Sequence, residues 1–175
     1  HPPDGVRAAK CDVGFLGVEP QRAADIAFTR AYLEIPVTFL VPPGSKIGQI
    51  ADVDRKGVRI AVSARSAYDL YLSRTLKNAE LVRAEGIDGS HELFLKQKLD
   101  VLAGLKPRLV SDAAKLPGAR VLDGQVTGVQ QACGTTKARV AGAKYLGEFI
   151  EDVKRSGLVA KTIDKHGVKG VNVAP

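Results

Sequence analysis

Residues 11–32, CDVGFLGVEPQRAADIAFTRAY, decide how the rest of the chain is interpreted. The stretch begins with a short apolar run, residues 12–16, of the kind found in strands buried in parallel sheets. The predicted strand ends at Gly17, and Arg22 follows after a short turn. Ligands of open α/β sheets bind beyond the carboxyl ends of the strands, where an arginine can hold a carboxylate or phosphate through two parallel hydrogen bonds. The stretch therefore predicts an anion site that uses Arg22.

The composition fits a globular protein with an anionic ligand. The chain has 175 residues, of which 45% are hydrophobic and 26% charged, enough for one sizeable core or two small ones. Its net charge of +7 favours anionic partners. The basic residues are scattered and Trp is absent, so there is no stacking platform and nucleic-acid binding is not predicted. No run of about 18 apolar residues predicts a transmembrane helix.

Nothing in the sequence predicts a metal site or a cofactor. Cys11 and Cys133 match no metal-ligand spacing. The three histidines are far apart and stand among polar residues, so each is predicted to be a solvated surface residue: His1, His91 and His166. There is no glycine-rich cofactor loop.

Strands alternate with helices from about residue 57 to residue 125, the signature of βαβ units on a parallel sheet. Ser90 is predicted to cap the helix that follows a loop at residues 86–89. The last long helix is predicted over residues 137–156, with one buried face made of an apolar stripe. That stripe consists of Val140, Ala143, Leu146, Ile150 and Val153.

Two extended crossings, near residues 38–41 and 126–133, predict a chain that leaves one lobe, builds a second and returns. The fold class is α/β, with mostly parallel sheets and flanking helices. Lobe 1 is predicted over residues 1–41 plus 132–175, and lobe 2 over residues 42–131. Such a geometry predicts a cleft that closes by hinge motion.

Residues 12–16 and 19–32 resemble the D-x-x-x … R-x-x-x-I/V-D/A-F-S/T-x-x-Y block of the solute-binding proteins of ABC transporters. The similarity is to the amino-acid-binding type, the bacterial extracellular solute-binding family 3 with the type II periplasmic fold. It continues in the same order through later segments, at residues 39–41, 50–53, 57–62, 99–101 and 148–157.

The resemblance implies a two-lobed, non-enzymatic protein without a cofactor. It would bind a small solute in the inter-lobe cleft and dock on a membrane permease. Its location would be periplasmic, reached through a signal peptide that these residues do not contain. It would be a monomer unless another chain completes lobe 1.

The resemblance also implies the ligand-binding residues. Arg22 would hold the ligand carboxylate, and the end of the preceding strand would offer backbone groups and a wall. In lobe 2, a turn at residues 63–68 would present backbone N–H groups at a helix N-terminus, which favours an anion. The predicted set is Phe15, Leu16, Gly17, Arg22, Arg65, Ser66, Ala67 and Tyr68.

The chain departs from the family pattern in three places. No acidic residue follows the strand ending near Ala103, where family members hold the ligand ammonium, and Arg65 replaces a glycine in the anion turn. Both changes favour an organic acid or another anion over an amino acid. The family's first strand, helix and second strand are also absent, which predicts an incomplete chain, a lobe completed by another chain, or a degraded fragment.

Two alternatives stand beside the transport function. One is an enzyme similar to cyclohexadienyl dehydratase, although no paired acids and no nucleophile–base set are present. The other is the ligand-sensing domain of a membrane receptor. Cys11 and Cys133 lie on segments that the resemblance places side by side, so they could form a disulfide or remain free thiols.

Overall fold

The computed structural model describes residues 2–175, so the prediction for His1 lies outside the described residues. The helices are α1 Pro2–Arg7, α2 Pro20–Ala23, α3 Ala67–Thr75, α4 Gly86–Lys96, α5 Lys106–Ala114, α6 Val140–Arg155 and α7 Leu158–Lys165, with a short 3₁₀ turn at Ile50–Asp52. The strands are β1 Gly14–Gly17, β2 Ile26–Val41, β3 Arg59–Ser63, β4 Glu80–Ala84, β5 Val101–Leu105, β6 Arg120–Val121, β7 Thr127–Thr136 and β8 Asn172–Val173.

The chain divides into two compact units. Unit 1 comprises His1–Ile35 and Val129–Pro175, and unit 2 comprises Pro36–Gly128. The chain passes from one unit to the other within β2 and again within β7. The mixed α/β fold class predicted from the sequence is confirmed.

Unit 2 contains the parallel strands. β3 lies between β4 and β5 and pairs with both in parallel, from Arg59 opposite Glu80 to Ser63 opposite Ala84. The apolar run Ile60-Ala61-Val62 is completely buried, as expected for a parallel strand with helices on its faces. These strands confirm the βαβ pattern predicted from residue 57 onwards.

The core of unit 2 forms where α4 and α5 pack on the parallel strands. Its buried members are Leu40, Ala61, Phe94, Leu99, Leu102 and Leu109. β5 also pairs antiparallel with the end of β2, and β6 pairs with β2 at its last residues. The buried Thr38 hydroxyl donates to the Leu122 carbonyl oxygen at 3.0 Å, so this polar group is satisfied inside the core.

Unit 1 contains a smaller antiparallel arrangement. β7 lies between β1 and β2, and β8 pairs with β2 at Leu33 and Glu34. One buried cluster of this unit is Val6, Leu16 and Ile26, with Phe28 packed against it. Gly14 and Gly134 are register partners, and a Cβ at Gly134 would come within 2.6 Å of the Ile26 side chain. Glycine is required there because the chains approach closely.

The prediction that Ser90 caps a helix is wrong. α4 begins at Gly86, four residues earlier, so the predicted loop at 86–89 is already helical. Ser90 lies buried in the second turn, and its hydroxyl donates to the Ile87 carbonyl oxygen at 2.8 Å. The glycines at 86 and 89 suggested a loop, but packing of the helix on β3 overrides their weak helix propensity.

The buried face predicted for the last long helix is only partly buried. α6 has the expected apolar periodicity, but among the stripe residues Ile150 alone is buried. Val140 is 75% exposed. Periodicity indicates which side chains share a helix face, whereas burial requires another element to cover that face.

Three further sequence predictions have a structural outcome. Cys11 is exposed, Cys133 is buried, and both are free thiols. His91 is largely buried rather than solvated, with Nδ1 3.2 Å from Asp112 Oδ2. In the described residues, 2–175, no helix has the length and apolar character that crossing a membrane requires.

Candidate functional site

The segment after β1 places Arg22 against the end of that strand. Arg22 lies in α2, is buried, and its Nη1 donates to the Gly17 carbonyl oxygen at 2.7 Å. Two of the predicted site residues are therefore brought together. This bond fixes the guanidinium beside the strand end, and a guanidinium carries further N–H donors in a rigid planar fork.

Phe15 and Leu16 point to opposite faces of β1, as successive residues of a strand do. Leu16 is buried against Val6 and Ile26, so its side chain belongs to the core of unit 1. Phe15 is 70% exposed and packs edge-to-face on Tyr32, with the ring centroids 6.0 Å apart. Burial raises the pKa of Tyr32, with a smaller contribution from the neighbouring Cys133.

The turn before α3 is the second predicted site. At Arg65 its backbone adopts a conformation that favours glycine. Arg65 adopts φ +60°, in the left-handed region that L-residues avoid. Its backbone N–H donates to Asp69 Oδ2 at 2.8 Å, while the Asp69 N–H donates to Ser66 Oγ at 3.0 Å. Ser66 is the N-cap of α3: it directly precedes the first helical residue, and its side chain accepts the Asp69 amide.

Asp69 organises this turn and was not selected from the sequence. It is buried, and besides the Arg65 amide it accepts from Arg83 Nε at 3.0 Å and from Ser73 Oγ at 3.3 Å. The signal that could have identified it is the spacing Ser66-x-x-Asp69, the pattern of a capping box. Asp69 holds the turn in the strained conformation that places Arg65 at the helix start.

Several backbone amides of the turn are engaged within unit 2. Ala64 donates to Ala84 O and Ser66 donates to Ser63 O, in addition to the Arg65 bond. Ala67 and Tyr68 occupy the first two positions of α3, where an N–H has no intrahelical acceptor and the helix dipole favours an anion. The Tyr68 ring is buried, and burial raises its pKa, opposed by hydrogen bonds with the hydroxyls of Ser66 and Ser63.

The end of β5 provides no acid. α5 begins at Lys106, directly after the strand. The nearby carboxylates of Asp88 and Asp112 are hydrogen-bonded to Arg108, at 2.7 and 2.9 Å, and these bonds raise the pKa of the Arg108 guanidinium. The Asp88 bond therefore joins α4 to α5, whereas the Asp112 bond lies within α5. In the described part of the chain, no group of three or more His, Cys, Asp or Glu side chains could hold a metal ion.

Searches of family models and of curated proteins find no match. Solved structures do match. The substrate-binding protein of an amino acid ABC transporter superposes with a TM-score of 0.79 at 17% identity, over 93% of this chain and 74% of that chain. The solute receptor for L-cysteine of Neisseria gonorrhoeae gives 0.81 at 17%, over 93% and 67%.

This chain has the type II periplasmic-binding-protein fold. A third similar structure is the ancestral amino-acid-binding protein AncCDT-1, a precursor of cyclohexadienyl dehydratase, with a TM-score of 0.76 at 18% identity over 93% of this chain and 71% of that chain. At these identities the likeness concerns the fold. The periplasmic-binding-protein fold was expected from the Arg22 block, and that expectation is confirmed.

Proposed function

We propose that the chain is the extracytoplasmic solute-binding component of an ABC transporter and that it binds a small anionic solute. The observation that carries the proposal is the turn before α3. There an arginine replaces the glycine that φ +60° favours, directly before a helix N-terminus. A cationic side chain and a helix N-terminus both favour an anion, so the strain at Arg65 has a functional reason.

Each unit contributes one set of residues to the proposed binding. In unit 2, the Ala67 and Tyr68 amides donate hydrogen bonds to the solute's anionic group, with Arg65 and the Ser66 hydroxyl beside them. In unit 1, the Arg22 guanidinium binds a carboxylate, with backbone groups and an aromatic wall from the end of β1. That part of unit 1 consists of Phe15, Leu16 and Gly17.

The absence of an acid after β5 supports an organic acid rather than an amino acid. A ligand ammonium would lose its water on binding and find no carboxylate there, at a cost of about 1–3 kcal/mol. The net charge of +7 adds a general attraction for anions. Delivery of the solute to a membrane permease in the periplasm is part of the same proposal.

Native mass spectrometry of the purified protein tests the solute class. The expected result is a co-purified anion without an amino group, and calorimetry with simple mono- and dicarboxylates should give saturable binding. Binding of several amino acids with no binding of these carboxylates would reverse the preference for an organic acid. Binding of neither class would contradict the function.

A pair of matched variants tests the residues. Arg65→Gln removes the cation at the helix start, and Arg55→Gln removes another exposed arginine of the same unit. We expect Arg65→Gln to weaken carboxylate binding at least tenfold, or about 1.4 kcal/mol, and Arg55→Gln to leave it unchanged. Arg22→Lys keeps the charge but loses the planar fork, so affinity should also fall.

A dehydratase is the alternative function, because AncCDT-1 is a precursor of cyclohexadienyl dehydratase. Incubation with prephenate or arogenate distinguishes the two. Product formation that persists in repeated purifications would favour the enzyme. Against it, Asp88 of α4 and Asp112 of α5 are both hydrogen-bonded to Arg108.

A further inference from the structure

Lys106 is a cation at the end of β5 to which the proposed function gives no role. It is half-buried and is the first residue of α5, directly after the strand. Among residues 2–175, its ammonium group forms no hydrogen bond or ion pair with another residue. Arg108, two residues later, differs, because Asp88 and Asp112 hold its guanidinium. In this turn the charge of Lys106 is therefore the one that no acid of the described chain neutralises.

The position of Lys106 does not serve the stability of α5. A helix dipole favours acidic residues in the first turn and basic residues in the last turn. α5 has the opposite arrangement, with no acidic residue in its first turn and no basic residue in its last turn. A half-buried ammonium also loses part of its hydration, and here no carboxylate replaces the lost water. Such a departure from local rules indicates a function outside the helix, as the strain at Arg65 does.

The sheet of unit 2 places Lys106 beside the turn that precedes α3. β3 and β5 are adjacent and parallel, with Ile60 opposite Val101. The same offset along the chain relates Arg65 to Lys106, so the two cations follow the carboxyl ends of neighbouring strands. Ligands of parallel sheets bind at that edge.

The first turns of α3 and α5 are also electrostatically coupled. Burial raises the pKa of Tyr68 in α3, and the charge of Arg108 in α5 opposes this rise, so a cation of one helix start acts on the other. Neighbouring strands of a sheet lie about 4.8 Å apart. A short molecule can therefore reach from the turn before α3 to the start of α5.

We propose that Lys106 binds a second carboxylate of the solute, so that the solute is a short dicarboxylate. The inference rests on the proposed function, which assigns one anionic group of the solute to the turn before α3. Glu85 follows β4, on the other side of β3, and is exposed. Its charge repels a carboxylate, so the second carboxylate lies on the β5 side of Arg65, where Lys106 is.

Calorimetry with matched acids tests the second carboxylate. Succinate, glutarate and adipate are compared with butyrate, valerate and hexanoate, which have the same numbers of carbon atoms and one carboxylate fewer. We expect a dicarboxylate to bind at least tenfold more tightly than the monocarboxylate of equal length, or about 1.4 kcal/mol. Equal affinities in every pair would overturn the inference and leave the proposed function standing. Binding of none of these acids would contradict both.

Variants of Lys106 test the residue. Lys106→Gln should weaken dicarboxylate binding at least tenfold and leave monocarboxylate binding unchanged, while Lys106→Arg should retain dicarboxylate binding. The thermal midpoint of Lys106→Gln should be unchanged or slightly raised, because a cation leaves the helix N-terminus. Lys115→Gln, at the other end of α5, is the control and should change neither affinity. Equal losses for both classes of acid, or no loss in Lys106→Gln, would overturn the role of Lys106.

Amino acids provide the opposing outcome. If an amino acid binds more tightly than every dicarboxylate, and Glu85→Gln weakens it, the acid after β4 holds an ammonium group. That result would overturn the dicarboxylate and keep a solute-binding function. We expect Glu85→Gln to bind dicarboxylates at least as tightly as the wild type, because the substitution removes a like charge.

Discussion

The two units of this chain bury their apolar residues to different extents. In unit 2, Phe94, Leu99 and Leu109 are at most 2% exposed, because helices cover the parallel strands. In unit 1, eight large apolar side chains are exposed, against three in unit 2. The eight are Val13, Phe15, Val140, Tyr145, Phe149, Leu158, Val168 and Val173. The difference indicates that unit 1 leaves more large apolar side chains exposed than unit 2 does.

The largest difference in stability should come from the same type of substitution, phenylalanine to alanine, made in one unit or in the other. Phe94→Ala removes a fully buried ring of unit 2 and should lower the free energy of unfolding by about 3–5 kcal/mol. Phe15→Ala removes an exposed ring of unit 1 and should change the free energy of unfolding by about 0.5 kcal/mol or less. Urea unfolding followed by circular dichroism measures both. Equal losses would contradict the contrast between the units.

A second pair compares carboxylates of the two units. Asp69→Asn weakens charge-assisted hydrogen bonds to Arg65, Ser73 and Arg83 inside unit 2 and should cost about 2–3 kcal/mol. Asp12→Asn disrupts an exposed ion pair with Arg139 in unit 1 and should cost about 0.5 kcal/mol or less. Urea denaturation measures both, and a small effect at Asp69 would mean that the turn before α3 does not depend on it.

The strain at Arg65 gives a smaller effect of opposite sign. Arg65→Gly relieves the left-handed backbone and should raise the free energy of unfolding by about 1 kcal/mol. Arg55→Gly is the control, because Arg55 is not among the residues with positive φ, and it should not stabilise the chain. Thermal unfolding detects the difference. If Arg65→Gly also leaves carboxylate affinity intact, Arg65 is not part of the anion site.

The smallest effect concerns acid stability in unit 2. Backbone N–H groups of Ala79, Asn78 and Lys77 donate to Asp54 and lower its pKa from the ordinary value. A lowered folded-state pKa stabilises the fold above the unfolded pKa of about 3.9, and this contribution is lost as the pH falls through the folded pKa.

The difference in the free energy of unfolding between wild type and Asp54→Asn should therefore be largest near neutral pH and shrink below about pH 4. Urea titrations at several pH values measure it. A difference that does not change with pH would contradict stabilisation of the fold by the charged Asp54 carboxylate.

Much of unit 2 was predictable because its strands are short apolar runs between turns, and such runs form buried parallel strands. Ser66 was predictable as a cap from its position before the helix. Ser90 was not, because the residues of positions 86–89 fit a loop as well as a helix turn, and only packing on β3 distinguishes them. The capping-box spacing could have identified Asp69, but not its bond to Arg83, because Arg83 comes from the next strand.

The sequence by itself determined the α/β class, the alternation of strands and helices, and the position of Arg22 just after a strand, because these depend on local periodicity and on neighbours in the chain. Only the tertiary structure decided that Leu16 is buried while Phe15 is exposed, that Asp69 holds the turn before α3, and that α6 fully buries only Ile150 of its apolar stripe. These outcomes depend on which distant elements meet, and a one-dimensional pattern does not specify that.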